Sequence, residues 1–240
     1  MSMQVALLAH TPDPDSVVAG AARLCYSNIP LGELASLGGL APQGEGAGRF
    51  IARLRRSGHM SPFEHASFTF GVEGLSRVAS HQLVRHRLAS YSQRSQRYVS
   101  MYEAIVVVPK SVEERPDATA VFTRAAEQAK RAYSELVAMG VPAEDARFIL
   151  PHGLETALVF TMNARELHHF FSLRLCRRAQ WEIRELARRM LKHCRPAAPL
   201  LFELAGPPCV FGGEQGCREQ RPCGKPYIDM KDLLQEDHEH

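Results

Sequence analysis

No apolar run in this sequence approaches the roughly 20 residues that a membrane helix requires, so a helical membrane protein is not expected. The first nine residues carry neither a basic start nor a long apolar stretch, so no secretory signal is expected and the cytoplasm is the expected compartment. No G-x-G-x-x-G and no phosphate-binding G-x-x-x-x-G-K occurs, which excludes the two common glycine-loop routes to a nucleotide. A Ser-His-Asp or Cys-His nucleophile arrangement is also missing. Paired C-x-x-C elements are absent: Cys209, Cys217 and Cys223 are separated by seven and five residues, which does not match a zinc ribbon. In a reducing compartment these thiols stay free. No bound metal is expected, although a metal or a disulfide in this tail stays open. Cys25 and Cys176, flanked by apolar residues, read as packing groups.

A further absence points to chemistry. Between Gly74 and Tyr102 there is no Asp or Glu, yet the stretch holds Arg77, Arg85, Arg87, Arg94 and Arg97 with His81 and His86. Arginines without local acids create a positive field that attracts an external anion. The planar guanidinium suits phosphate because it donates two parallel hydrogen bonds. Ser90, Ser92 and Ser95 add short donors, and Gln82 and Gln96 add amides that match the donor and acceptor edge of a uracil-type ring. A solvated basic face or a nucleic-acid patch is the alternative. A single-strand platform needs more aromatics than Tyr91 and Tyr98.

What is present otherwise is the composition of a globular chain: 45% hydrophobic and 23% charged residues, enough for a sizeable core. The net charge of +3 is too small to imply nucleic acid by itself. Met3 to Ala9 reads as a strand, followed by a capped helix to about Leu24. Residues 30 to 48 read as a Gly/Pro-rich loop. Helical spacing resumes over Phe50 to Arg56. Ser61 and Glu64 have the spacing of a capping box. Ala66 to Val72 alternates as a strand, and a helix is expected from about Leu75 to Arg85. Tyr98 to Pro109 reads as extended, and Ser111 to Gly140 as a long helix stopped by glycine. A short helix over 143–149 precedes Thr156 to Met162, which fits either strand or helix. Helices follow over Asn163 to Leu175 and Gln180 to His193. The fold class is α+β, with a small, mostly antiparallel sheet flanked by many helices. Residues 1–205 are expected to form one domain and residues 206–240 an irregular cysteine-bearing tail.

Asn163, Arg165, His168, His169 and Arg174 form a second basic set, with Arg147 before it. Arg165 and His169 are four apart and share a helix face. Surface or capping roles explain such residues equally well. Adjacent His168 and His169 point about 100° apart on a helix and do not share one ion. His59, Ser61, Glu64 and His65 form a third set at a helix start, where an anion is also favoured.

Arg85-His86-Arg87, seven residues and then Ser95, with Gln96-Arg97-Tyr98 after it, resembles the signature of the flavin-dependent thymidylate synthases. Gly58 to His65, Asn163 to Arg174 and Ala179 to Ile183 resemble further segments of that family, and the likeness spans about residues 3 to 205. The resemblance implies the fold of the thymidylate synthase-complementing proteins. It implies that dUMP becomes dTMP with methylenetetrahydrofolate as carbon donor and NADPH as reductant, through FAD. It also implies a homotetramer with shared active sites, and neither nucleic acid nor membrane as partner. By position, Gln82, Arg85, Gln93, Arg94, Ser95, Gln96, Arg97, Arg147 and Arg174 would contact dUMP, with Arg174 the catalytic residue. Ser61, Arg85, His86, Arg87, Leu88, Gln93, Asn163, Arg165 and His169 would contact FAD, and His59 and Glu64 would lie on the folate and flavin side. Gln93 stands where some members have Glu, and His169 where others have Asn.

Overall fold

The computed structural model describes residues 3–28, 30, 32 and 46–235. The expected loop over 30–48 falls largely outside them. The elements in chain order are β1 (Gln4–His10), α1 (Pro14–Leu24), α2 (Ala47–Arg56), a 3-10 turn (Ser61–His65), β2 (Ser67–Ser76), α3 (Arg77–Leu83) and β3 (Ala89–Gln93). Next come α4 (Lys110–Glu113), α5 (Pro116–Ala138), α6 (Ala143–Ala146), a 3-10 turn (Arg147–Ile149) and β4 (Glu155–Asn163). The chain ends with α7 (Ala164–Arg174), α8 (Trp181–Ala197), α9 (Cys209–Gly212) and α10 (Met230–Gln235). The four strands form one antiparallel sheet in the order β1-β2-β4-β3. This is the expected α+β class.

The chain divides into two compact units. One takes Met1–Gln4, Val72–Arg85 and Tyr91–Val159; the other takes Val5–Gly71, His86–Ser90 and Phe160–His240. In the first unit, Met101, Tyr133, Ala146, Leu150 and Leu154 form the buried cluster. In the second, Phe68, Phe70, Phe160, Phe170, Phe171 and Phe202 are fully buried, and Phe70 stacks on Phe160 at 5.7 Å between ring centres.

The ambiguous Thr156–Met162 segment is a strand. Thr156, Leu158, Phe160 and Met162 are buried and alternate with more exposed neighbours, the period of a strand with one covered face. Ser76 caps α3 by accepting from the Ala79 amide, so that helix starts two residues later than expected. Asn163 caps α7 in the same way, through the Glu166 amide at 2.9 Å. α5 ends where Gly140 takes φ +88°, as the glycine stop implied.

Several expectations are corrected. Ser61 does not cap through its side chain; the segment is a 3-10 turn, and Glu64 pairs with Arg165 instead of the local backbone. The expected cap of α1 is not made by a side chain; Asp15 in its first turn instead accepts the amides of Leu200 and Leu201. Tyr98 to Pro109 forms no strand. Ser95 and Ser100 accept amides two residues on, which favours turns over a ladder, and only Val106 bridges to Leu154. Cys25 is exposed rather than packed, and Cys176 is half-buried beside other cysteines. Residues after Gly206 are not wholly irregular, since α9 and α10 form and Tyr227 and Leu233 are buried.

His168 shows what burial does to a titrating group in this core. Its Nε2–H donates to the Leu201 carbonyl at 2.9 Å, and its ring packs against Phe63 and Phe202. Burial, with the Arg55 charge adding, lowers its pKa from 6.5 to about 3. The folded state therefore holds neutral His168 while the unfolded chain protonates it below about 6.5. This contribution is complete above that pH and is lost as the pH falls toward 3, a loss of roughly 3–5 kcal/mol. The melting temperature should drop more steeply between pH 7 and pH 4 in the wild type than in His168→Gln. Parallel curves would contradict the assignment.

Candidate active site

In the first unit, β3 and the turn after it carry much of the arginine-rich segment. The expected absence of acids holds along the chain but not in space. Arg97 pairs with Glu144 at 2.6 Å, and Arg94 lies 3.8 Å from Glu73. Arg85, just beyond α3, is exposed and has no ion pair among the described residues, while Gln82 on α3 is half-buried. Gln93 donates both amide hydrogens inward, to Ser80 Oγ at 3.1 Å and Thr156 Oγ1 at 3.2 Å. That ties its head to β4 and leaves its carbonyl oxygen for other partners. Ser95 accepts from the Arg97 amide and so shapes the turn that aims Arg97.

A cavity of about 420 Å³ lies in this unit, lined by Arg77, His81, Gln96, Arg147, Pro151 and His152 among others, with no carboxylate in the lining. Arg147 reaches it from the 3-10 turn after α6, its Nε donating to the Glu144 carbonyl at 3.0 Å. Arg77 enters from the start of α3, where its own amide and that of Val78 donate to the Leu154 and His152 carbonyls. Burial lowers the Arg77 pKa, and the nearby Arg147 charge lowers it further. Two cations that repel each other across a carboxylate-free cavity are stabilised by a bound anion. His81 and His152 meet edge-on at 5.4 Å. Arg147 and Gln96 were expected at a site. Arg77 and His81 stood in the acid-free segment but carried no role, and His152 was missed because no local motif surrounds it.

In the second unit the centre is His86. It is buried, and its Nδ1–H donates to Glu166 Oε1 at 2.9 Å. Arg174 Nε–H donates to His86 Nε2 at 3.1 Å. A carboxylate only accepts and a guanidinium only donates, so the ring must carry one proton, on Nδ1. Burial is the main cause that lowers the His86 pKa, and Arg174 adds to it, while Glu166 opposes. The chain Glu166–His86–Arg174 is thus a fixed relay that orients the arginine. His86, Glu166 and His169 bring ligand atoms within 4.8 Å of one another, but both His86 nitrogens are already engaged and Arg174 brings a positive charge. Glu166 was missed by the sequence reading. The signal lies in its spacing: it falls four residues before Phe170, on the buried face of α7, where an ionisable residue needs a partner.

Around this relay, Arg87 and Leu88 are exposed, Leu88 at 63%. Arg165 and His169 are exposed on α7, and Arg165 forms an ion pair with Glu64. The Oδ1 of Asn163 is occupied by its capping bond. The ring of His169 stands 5.6 Å from that of His86. Ser61 is exposed at the head of the 3-10 turn, and His59 Nδ1 hydrogen-bonds the Tyr26 hydroxyl at 2.7 Å.

Ordered arginines, one set around a carboxylate-free cavity and another braced by a buried Glu–His pair, make this an α+β protein equipped for anionic ligands without any glycine-loop motif. Residues 6–200 match the family model described as thymidylate synthase complementing protein, and the chain belongs to that family. It is similar over nearly its whole length to a flavin-dependent thymidylate synthase of Geobacter sulfurreducens, 50% identical over 237 residues, 98% of this chain and 99% of the relative. It is also similar to the enzyme of that name from Clostridium tetani, 42% identical over 248 residues, 95% of this chain and 98% of the relative. The flavin-dependent thymidylate synthase of Pyrococcus abyssi is 44% identical over 182 residues, 72% of this chain and 75% of the relative.

Proposed function

We infer that this protein is a flavin-dependent thymidylate synthase, converting dUMP to dTMP with methylenetetrahydrofolate as carbon donor and NADPH as reductant. The observation that carries this reading is the 50% identity over 98% of the chain to a protein of that name. The geometry supports a division of roles. In the first unit, Arg147 and Gln96, with Arg77 added, take the nucleotide phosphate in the carboxylate-free cavity. Gln82, Arg85, Gln93, Arg94, Ser95 and Arg97 complete the dUMP contacts.

In the second unit, the donor set fits a flavin dinucleotide: Arg87 and Arg165 are exposed cations suited to its pyrophosphate, and Leu88 offers an apolar surface to its ring. Ser61, His86, Asn163 and His169 join them, Arg85 and Gln93 serve both ligands, and His59 and Glu64 face the folate and flavin side. Bound FAD supplies the hydride, taken from NADPH, that reduces the transferred methylene to methyl. Arg174, held through its Nε by neutral His86, stabilises the negative charge on the uracil ring when N3 is deprotonated, which activates the ring toward the one-carbon unit.

The same protein would have the thymidylate synthase-complementing fold, form a homotetramer with shared sites, carry a catalytic domain over 1–205 with a tail over 206–240, and reside in the cytoplasm. No helix of the described residues is long and apolar enough to cross a membrane. The purified protein should be yellow, absorb near ~450 nm from its flavin, and form dTMP when given dUMP, methylenetetrahydrofolate and NADPH. Protein that neither carries nor takes up FAD would contradict the reading.

A further inference from the structure

Four cysteines from two segments of the chain line one cavity. Cys176 follows the end of α7; Cys209, Cys217 and Cys223 come from the tail. The cavity measures about 420 Å³, and all four belong to the second unit and are free thiols. Cys209, Cys217 and Cys223 lie beyond residues 6–200, which match the family model.

The backbone around two of the sulfurs has the same form. The Lys225 amide donates to Cys223 Sγ at 3.4 Å, and the Arg178 amide donates to Cys176. In both turns the donor lies two residues after the cysteine. Gly224, between Cys223 and Lys225, has φ +72°, a conformation that glycine adopts without strain. Amides aimed at sulfur stabilise bound thiolates and tune the group they hold. The charge agrees. Arg177, Arg178 and Lys225 line the cavity with Glu219; Arg178 pairs with Glu219 and Arg177 with Asp232, and the lining keeps a net positive charge suited to several thiolates.

The spacing separates the candidate groups. A tetrahedral zinc with Zn–S near ~2.3 Å draws its sulfurs to about 3.8 Å of one another. Among the described residues, the one His/Cys/Asp/Glu trio with ligand atoms within 4.8 Å is His86, Glu166 and His169. No three of the four sulfurs thus lie within 4.8 Å of one another, a wider set than the tetrahedron about one zinc ion. An iron–sulfur core, which places several irons between the thiolates, spans such a gap. We propose that Cys176, Cys209, Cys217 and Cys223 are the four ligands of an iron–sulfur cluster, each sulfur forming one bond to iron. Iron and inorganic sulfide are the components it takes up. The site does not depend on the flavin chemistry, and its failure would leave that reading intact.

The test is the composition of the full-length protein purified without oxygen. About four iron and four acid-labile sulfide per chain are expected, the content of a four-iron cubane. The iron should give a Mössbauer spectrum of cysteine-ligated cluster iron, a signal to which flavin does not contribute. Cys209→Ser combined with Cys217→Ser should remove the iron and leave the flavin content unchanged. The wild-type measurement decides even if that variant folds poorly. One zinc per chain without iron, iron without sulfide, disulfides among the four cysteines, or metal-free protein that takes up no iron and sulfide on anaerobic reconstitution would each overturn the proposal.

Discussion

Replacing Arg174 with alanine should lower kcat about 10²–10³-fold while FAD stays bound, the loss seen when one preorganised donor to a developing negative charge is removed. The reason lies in how the side chain is held. Its Nε is committed to His86, and His86 is locked by Glu166. The guanidinium is therefore oriented before a ligand arrives, and its terminal nitrogens remain for the uracil. Burial lowers the Arg174 pKa, but a guanidinium starts so high that it stays charged at neutral pH. Arg174→Lys keeps a charge but loses the planar fork and the bond to His86, so it should recover little of the rate. The effect should fall on kcat more than on KM, because the charge it meets develops during reaction. Near-normal dTMP formation by flavin-loaded Arg174→Ala would remove Arg174 from the catalytic role.

The second large effect is expected on binding. Arg147→Ala should weaken dUMP binding about 10- to 100-fold, since a hydrogen bond to a charged group contributes about 1.5–3 kcal/mol. Arg147 and Arg77 face the same cavity, and Arg147 lowers the Arg77 pKa through repulsion. Removing one cation relieves that repulsion, so the loss should stay below the sum of two independent contacts. Titration calorimetry with dUMP and with deoxyuridine separates this from general damage. The nucleotide should lose affinity and the nucleoside should not. Equal losses for both, or an unchanged dUMP Kd, would move the phosphate elsewhere.

The elements carrying strong period or punctuation were legible in the sequence. Phe68, Phe70 and Val72 alternate and form β2, and Gly140 ends α5. The candidate residues were legible where types cluster, as in Arg85 to Arg97. Their partners were not. Glu144 reaches Arg97, and Glu73 lies beside Arg94, so the acid-free segment is partly neutralised by residues outside it. Glu166 sits under His86 from 80 positions away. The Ser61 capping box failed because Glu64 had a stronger partner in Arg165 than the local backbone offered. The tail cysteines were visible in the sequence, but their spacing matches no short motif, and Cys176 lines the same cavity only through the fold. Local rules read neighbours along the chain, whereas charge pairs and metal ligands are chosen across it.

Methyl transfer through a flavin is tested most directly by one anaerobic single-turnover measurement. Protein whose FAD has been reduced is mixed with dUMP and methylenetetrahydrofolate, and the flavin absorbance near ~450 nm is followed. The expected result is flavin oxidation that needs both substrates and yields one dTMP per flavin oxidised. Flavin that stays reduced with both present, or that oxidises without dUMP and without forming dTMP, would contradict it.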